Sequence, residues 1–173
     1  MPDTARNIEI KAKISDWQKL YQLVTTLSDT PEEILIQKDI FFPAQNGRLK
    51  LRIFQDNYGE LIHYQRENTI KAKESSYIIA KTTEPVLMQA ALSKALGVVG
   101  IVEKKRLLYK TGQTRIHLDQ VAGLGNFLEL EYVLSPREDI DIAKSLVADL
   151  MRYLEIASND LIANAYIDML LIS

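Results

Sequence analysis

The segment Asn-Ile-Glu-Ile-Lys-Ala-Lys-Ile at positions 7–14 alternates polar and apolar residues without a break. A period of two is typical of a β-strand with one polar and one apolar face. Strand-like segments follow, and turns rich in Gly and Asn separate several of them. The sequence therefore predicts eight strands, at 7–14, 34–42, 48–54, 60–67, 76–82, 102–109, 114–121 and 127–134.

Helical spacing of apolar residues predicts four helices, at 17–27, 85–96, 140–154 and 160–171. Ser15 or Asp16 can cap the first helix, and Pro85 can open the second. Many short strands joined by tight turns, with few helices, predict an α+β fold with a mostly antiparallel sheet. Closure into an eight-stranded β-barrel would remove the exposed strand edges, and the last helix is expected to pack on this barrel.

The composition excludes several classes of function. The chain has 173 residues, of which 47% are hydrophobic, and no cysteine. One domain over 1–173 is expected, and thiolate metal sites and cysteine nucleophiles are excluded. Lys and Arg number 21 against 23 Asp and Glu, and this net charge of −2 argues against nucleic acid as a partner. No signal-like or membrane-spanning run is present, so we expect a cytoplasmic protein.

The charged residues lie in period-two stripes on the polar faces of the strands. Each stripe is open to a simple interpretation as the solvated face of an amphipathic strand. However, several stripes carry charges of one sign, which repel one another. The basic and mixed stripes comprise Glu9, Lys11 and Lys13; Arg48, Lys50 and Arg52; Tyr64 and Arg66; Lys104 and Arg106; and Arg115, His117 and Asp119. The acidic stripe comprises Glu129 and Glu131.

A concave site that binds a polyanion through a divalent cation would neutralise both kinds of stripe. Carboxylates are ligands of Mg²⁺ and Mn²⁺, and Arg and Lys bind phosphate oxygens. Phosphoryl transfer needs positioning and charge stabilisation more than a special nucleophile. The stripes therefore predict a barrel interior that binds a metal-bridged polyphosphate. His63 is expected to face outward, whereas His117 is open to either packing or phosphate contact.

Four short strings occur in an order and spacing that resemble the CYTH superfamily, the triphosphate tunnel metalloenzymes. They are Asn-Ile-Glu-Ile-Lys at 7–11, Gly-Arg-Leu-Lys-Leu-Arg at 47–52, Lys-Lys-Arg at 104–106 and Phe-Leu-Glu-Leu-Glu at 127–131. This family includes class IV adenylate cyclases and thiamine triphosphatases. The resemblance implies an eight-stranded antiparallel barrel that forms a tunnel, in some members plugged by a C-terminal helix, and a dependence on Mg²⁺ or Mn²⁺.

The resemblance also implies roles for individual residues. Glu9 and Lys11 match the second glutamate and the lysine of the family's Glu-x-Glu-x-Lys signature, and we predict both to be catalytic. The predicted metal ligands are Glu9, Glu129, Glu131 and, as an additional carboxylate, Asp119. The predicted phosphate-binding residues are Lys11, Lys13, Arg48, Lys50, Arg52, Arg66, Lys81, Lys104, Arg106 and Arg115.

Two departures from the family pattern leave the reaction open. Asn7 stands where the signature has its first glutamate, and the segment 39–42 lacks the tyrosine that some triphosphatases carry. The first hypothesis is a metal-dependent phosphohydrolase acting on a small triphosphate such as tripolyphosphate, thiamine triphosphate or ATP. The alternatives are an adenylate cyclase that converts ATP to cyclic AMP and pyrophosphate, and a non-catalytic module that binds polyphosphate or nucleotides. A monomer and a homodimer are both compatible with the sequence.

Overall fold

A computed structural model describes residues 5–173. Eight strands form one closed barrel, in which every neighbouring pair is antiparallel. The strands are β1 (Ala5–Lys13), β2 (Glu33–Phe42), β3 (Arg48–Phe54), β4 (Gly59–Arg66), β5 (Lys73–Thr82), β6 (Gly100–Thr111), β7 (Thr114–Val121) and β8 (Gly125–Val133). Around the barrel their order is β1-β5-β4-β3-β2-β6-β7-β8. This architecture confirms the predicted fold; the first four residues of the predicted domain lie outside the described part.

Four helices lie outside or at the end of the barrel. They are α1 (Trp17–Leu27), α2 (Pro85–Leu96), α3 (Ile140–Tyr153) and α4 (Tyr166–Leu171), with a short 3₁₀ turn at Ser158–Asp160. Asp16, and not Ser15, caps α1, because its carboxylate accepts a hydrogen bond of 3.0 Å from the backbone N–H of Lys19. Within residues 5–173, no helix has the length and apolar character needed to cross a bilayer.

The main hydrophobic core lies outside the barrel wall. Strand residues that alternate with the charged ones, such as Ile10 and Leu130, point outward and pack against α1 and α3. A smaller cluster that includes Ile40 and Leu51 packs against α2. Because the apolar faces are turned outward onto helices, the opposite faces of the same strands place the charged stripes inside the barrel.

The C-terminal segment differs from the predicted helix at 160–171. Only Tyr166–Leu171 is α-helical, and residues 161–165 are not helical. The pairing of β1 with β5 stops at Glu9, which leaves the last residues of β1 with free backbone groups on that side. Leu161 forms a β-bridge with Ala12 there, and the N–H of Ile162 donates to the carbonyl of Lys11 at 2.9 Å. This pairing replaces the first helical turn.

The same segment closes one end of the barrel. A buried cluster fills this end, and it joins barrel residues such as Phe127 and Val102 to Ala165, Tyr166 and Ile167. Gly100 allows this close fit, because a Cβ at that position would lie 2.6 Å from Cδ1 of Ile167 and would displace that side chain. The barrel is therefore open at one end only, where apolar residues such as Leu35, Phe54 and Leu108 line the interior.

Candidate functional site

The barrel interior contains a cavity of about 300 Å³ that all eight strands line. Seven basic side chains face it: Lys11, Lys50, Arg52, Arg66, Lys104, Arg106 and Arg115. Five carboxylates face it as well: Glu9, Asp39, Glu60, Glu129 and Glu131. The formal excess is two positive charges, so the lining is much less positive than the basic stripes alone suggest.

The carboxylates and a histidine meet on β1, β7 and β8. Strand register sets this arrangement, because Glu131 lies opposite Glu9 on one side and Glu129 lies opposite His117 on the other. His117, Glu129 and Glu131 each offer a ligand atom, and these atoms lie within 4.8 Å of one another. These three residues can therefore hold a metal ion, and Glu9 stands directly across from Glu131.

The pKa values of Glu9 and Glu129 are shifted in opposite directions. Burial raises the pKa of Glu9, and the neighbouring carboxylate of Glu131 adds to this effect. Burial also acts to raise the pKa of Glu129, but the cations of Arg106 and Lys11 hold it well below its usual range. Glu129 is therefore ionised, whereas Glu9 is the carboxylate with the greatest readiness to take up a proton.

Acidic and basic stripes neutralise one another across the cavity. Glu129 contacts Arg106 at 2.6 Å and Lys11 at 3.3 Å. Glu9 accepts a hydrogen bond of 2.9 Å from Arg66. The like charges within a stripe are thus compensated by partners on other strands, which alternation along one strand does not reveal.

Asp39 forms a second ionic centre that the sequence analysis did not assign. Its carboxylate accepts hydrogen bonds of 2.8 Å from Lys50 and from two nitrogens of Arg52. Burial would raise the pKa of Asp39, but Arg52 and Lys50 hold it well below its usual range. Burial and the Arg52 guanidinium lower the pKa of Lys50 to about 7. The signal was available in the sequence, because Asp39 alternates with Gln37 and Phe41 on an inward face.

Ten of the predicted site residues line the cavity together. They are Glu9, Lys11, Lys50, Arg52, Arg66, Lys104, Arg106, Arg115, Glu129 and Glu131. Asn7, at the place of the missing signature glutamate, also lines it, and its Oδ1 atom is buried without a hydrogen-bond partner among the described residues. The sequence analysis did not assign three further buried residues: Ser75 and Tyr166, which line the cavity, and Lys73, which lies beside it.

Four predicted site residues lie outside the cavity lining: Lys13, Arg48, Lys81 and Asp119. Lys13 and Lys81 are exposed at strand ends, beyond the part of the wall that encloses the cavity. Arg48 turns to α4, where its two terminal nitrogens donate to the two oxygens of Asp168 at 2.9 and 2.8 Å. Alternation gives the face of a strand correctly, but a residue near a strand end can lie at the rim and find a partner there.

Asp119 is placed beneath the cavity lining and not in it. Its side chain is fully buried and contacts Arg106 at 2.6 Å and Lys104 at 3.4 Å. Tyr166 donates a further hydrogen bond of 2.9 Å to it. Burial opposes its ionisation, but Arg106 and Lys104 lower its pKa to about 2. With its oxygens occupied by these donors, Asp119 anchors the cations and does not face the space that a metal ion would occupy.

The C-terminal segment contributes contacts to the closed end of the cavity. The Lys11 amine donates to the carbonyl of Asn164 at 3.2 Å and lies 3.8 Å from the centroid of the Tyr166 ring. Lys73 donates to the carbonyl of Ala163 at 3.1 Å. Backbone dipoles and an aromatic face thus hold two of the cations in place.

Comparisons with known proteins agree with this geometry. A protein of Methanocaldococcus jannaschii named for a proposed adenylate cyclase activity is 25% identical over 169 residues, which cover 94% of this chain and 97% of that protein. A Pyrococcus horikoshii protein of solved structure superimposes with a TM-score of 0.83 at 20% identity, covering 94% of this chain and 98% of the other.

A Hippeastrum protein named for a proposed adenylyl cyclase and for a dominant triphosphatase activity superimposes with a TM-score of 0.66. It is 15% identical, and the match covers 92% of this chain and 91% of the other. The sequence pattern of the CYTH domain matches residues 5–166, nearly the whole chain. The chain therefore belongs to the CYTH family.

Proposed function

We propose that this protein is a divalent-metal-dependent phosphohydrolase that acts on a small molecule carrying a triphosphate. The observation that carries the proposal is the position of Glu129. This carboxylate belongs to the cluster with His117 and Glu131, and it also contacts Lys11 and Arg106 of the basic lining. A metal site and a phosphate site that share one residue suit a substrate in which phosphate oxygens and a cation are bound together.

The residues of the cluster fit a divalent cation. Glu129 and Glu131 of the cluster, together with Glu9 across from Glu131, offer the oxygen ligands that Mg²⁺ and Mn²⁺ accept. The buried Nδ1 atom of His117 has no hydrogen-bond partner among the described residues. A bound ion would polarise a phosphoryl oxygen and lower the pKa of a water that it binds. We assign these three glutamates as the ligands of the ion, with Glu9 placed directly across from Glu131 by the strand register.

The basic lining would hold the phosphates. Arg52, Arg66 and Arg106 present guanidinium groups that can bind phosphate oxygens in a bidentate manner, while Lys50 and Lys104 act as point charges. The excess of two positive charges and a divalent ion together supply four, which suits a chain of three phosphates. Lys11 lies between the cluster and the basic lining, where its ammonium can stabilise charge that develops on the reacting phosphoryl group.

Substrate binding on this proposal exchanges ion pairs. Arg66 and Arg106 would leave Glu9 and Glu129 for phosphate oxygens, and the freed carboxylates would take the cation. The number of charge-assisted hydrogen bonds is preserved, so each buried charge keeps a partner throughout.

We rank hydrolysis above cyclisation of ATP. The dominant triphosphatase activity in the name of the Hippeastrum protein supports this order. The two reactions differ in whether water or the ribose 3′-hydroxyl attacks, and the same cavity could serve both.

The test is a double variant, Glu129→Gln with Glu131→Gln, assayed with tripolyphosphate, thiamine triphosphate and ATP in Mg²⁺ and in Mn²⁺. We expect phosphate release to fall at least about 100-fold, because the charges that bind the ion are removed while the side-chain volume is kept. Glu103→Gln, on an exposed position of β6, is the matched control and should leave the rate unchanged.

The products separate the hypotheses. Phosphate release that is unaffected by the double variant would refute the proposal. Cyclic AMP and pyrophosphate from ATP would favour the cyclase. Tight binding of tripolyphosphate without turnover in any metal would favour a binding module.

A further inference from the structure

His117 belongs to the cluster with Glu129 and Glu131, and one of its ring nitrogens is buried without a hydrogen-bond partner among the described residues. The chain has two histidines, and this one is on β7 directly opposite Glu129 of β8. Its exposure is 4%, and its Nδ1 atom forms no hydrogen bond with any residue of the described chain. Buried polar atoms are normally paired, so an unpaired ring nitrogen in a polar cavity points to a ligand.

The distances around Nδ1 are too long for a hydrogen bond and fit ligand atoms that share one ion. Nδ1 lies 3.7 Å from an oxygen of Glu129 and 3.9 Å from an oxygen of Glu131. Hydrogen bonds between nitrogen and oxygen span about 2.7–3.2 Å. Ligand atoms that each lie about 2.1 Å from one ion are separated by about 3–4.2 Å, and both distances from Nδ1 are within that range. The three ligand atoms together lie within 4.8 Å of one another.

We propose that Nδ1 of His117 is a metal ligand, so that the ion is held by mixed nitrogen and oxygen donors. The proposal rests on the proposed function for the ion itself and goes beyond it in the donor set. An imidazole is a poor ligand for Mg²⁺, which prefers oxygen donors, whereas first-row transition ions bind imidazole well. The site therefore selects a transition ion over Mg²⁺, and it binds Co²⁺ more tightly than Mn²⁺.

The first test uses Mn²⁺ as a paramagnetic probe of the full-length protein. Pulsed electron paramagnetic resonance should detect the coupling of one ¹⁴N nucleus to bound Mn²⁺. Incorporation of ¹⁵N-histidine into the wild-type protein should replace that signal by a ¹⁵N signal without any substitution. His63→Gln, which alters the other histidine, should keep the coupling, and His117→Gln should abolish it.

The second test measures selectivity by calorimetric titration with Co²⁺ and Mg²⁺ in the absence of substrate. His117→Gln should weaken Co²⁺ binding at least about tenfold and Mg²⁺ binding by less than about twofold. An equal loss for both ions would contradict the proposal. If His117 contacted phosphate and not the ion, this variant would leave both titrations unchanged and weaken only tripolyphosphate binding.

The outcomes distinguish this inference from the proposed function. Metal-dependent hydrolysis with no nitrogen coupling in Mn²⁺-loaded wild-type protein would overturn the assignment of His117 and leave the hydrolase intact. Nitrogen coupling without hydrolysis would refute the hydrolase and support the ligand. Failure to bind Mn²⁺, with or without tripolyphosphate, would overturn both.

Discussion

Asp119 shows how much of the site depends on a residue that a substrate would not touch. It pairs with Arg106 and Lys104, and its other neighbour is the hydroxyl of Tyr166. The two cations face the cavity, whereas Asp119 lies behind them. Its charge holds the cations in position and compensates them when no ligand is bound.

Asp119→Asn should lower the free energy of unfolding by about 3–5 kcal/mol, because the substitution leaves the buried Lys104 without its counter-charge and Arg106 with Glu129 alone. Urea denaturation followed by circular dichroism measures this effect. Asp149→Asn breaks an exposed ion pair with Arg152 and serves as the control, for which we expect no measurable change. A loss as small as the control's would mean that solvent or other carboxylates compensate Arg106 and Lys104.

Lys50 should make ligand binding depend on pH. Its pKa is about 7, so the amine is charged below that value and neutral above it. A polyanion binds the charged form, and its affinity should therefore fall as the pH rises through 7. The expected loss between pH 6 and pH 8 is about tenfold, the limit for a single proton taken up with the ligand.

Calorimetric titration with tripolyphosphate at fixed Mg²⁺ tests this effect, with Lys50→Arg as the reference. Arginine keeps its charge over the whole range, and titration of the phosphates themselves is the same for both proteins. The ratio of the two dissociation constants should change about tenfold. Parallel pH profiles would show that Lys50 stays charged in the cavity.

At the scale of elements, Asp168 joins α4 to the barrel and also caps the start of the helix. Asp168 accepts two hydrogen bonds from Arg48, and it also accepts one of 3.0 Å from the N–H of Ala165 at the start of the helix. A six-residue helix has little stability of its own, so α4 depends on these contacts as well as on the buried cluster that contains Tyr166 and Ile167.

Asp168→Asn should loosen α4 without unfolding the barrel. The substitution leaves one oxygen for three donors, two on Arg48 and the N–H of Ala165. Loss of one such contact costs about 1 kcal/mol, which corresponds to about fivefold faster opening. Hydrogen exchange should therefore accelerate at least about fivefold in Tyr166–Leu171 and stay unchanged in β7. Asp160→Asn, whose side chain makes no hydrogen bond in the described structure, is the control. Faster exchange throughout the barrel would show that α4 is part of the global fold.

The elements also show which parts of the structure are predictable from the sequence. The strands at 48–54 and 114–121 and the helices at 17–27 and 85–96 agree with the structure residue by residue. Apolar periodicity was sufficient there because each element turns one face to a buried cluster. Residues 161–165 were predicted wrongly as helical, because Leu161 and Ile162 pair with free backbone groups of β1, far away in sequence.

The candidate site was likewise predictable only in part. Alternation identified the inward face of β1, β3, β6 and β8 correctly, and with it most of the charged residues that line the cavity. It could not give the depth of a residue along the barrel axis, and this is why Lys13, Arg48, Lys81 and Asp119 were misplaced. Depth depends on strand register and tilt, which only the closed barrel defines.

At the scale of the whole molecule, the net charge is close to zero, and the charges that line the cavity are nearly balanced as well. The cavity lining carries seven basic and five acidic groups, so the interior is only mildly positive. Such an interior can stay folded without a ligand, because its charges neutralise one another, and it still offers cations to a polyanion when the pairs exchange.

Because one end of the barrel is filled, the cavity is a pocket with a single opening and does not pass through the barrel. A linear polymer of phosphates could enter it only with its terminus first, and no inner unit of a long chain could reach the bottom. On the proposed function, long polyphosphates would therefore be shortened from their ends. The fragment that lies deepest would leave last, through the single opening of the cavity.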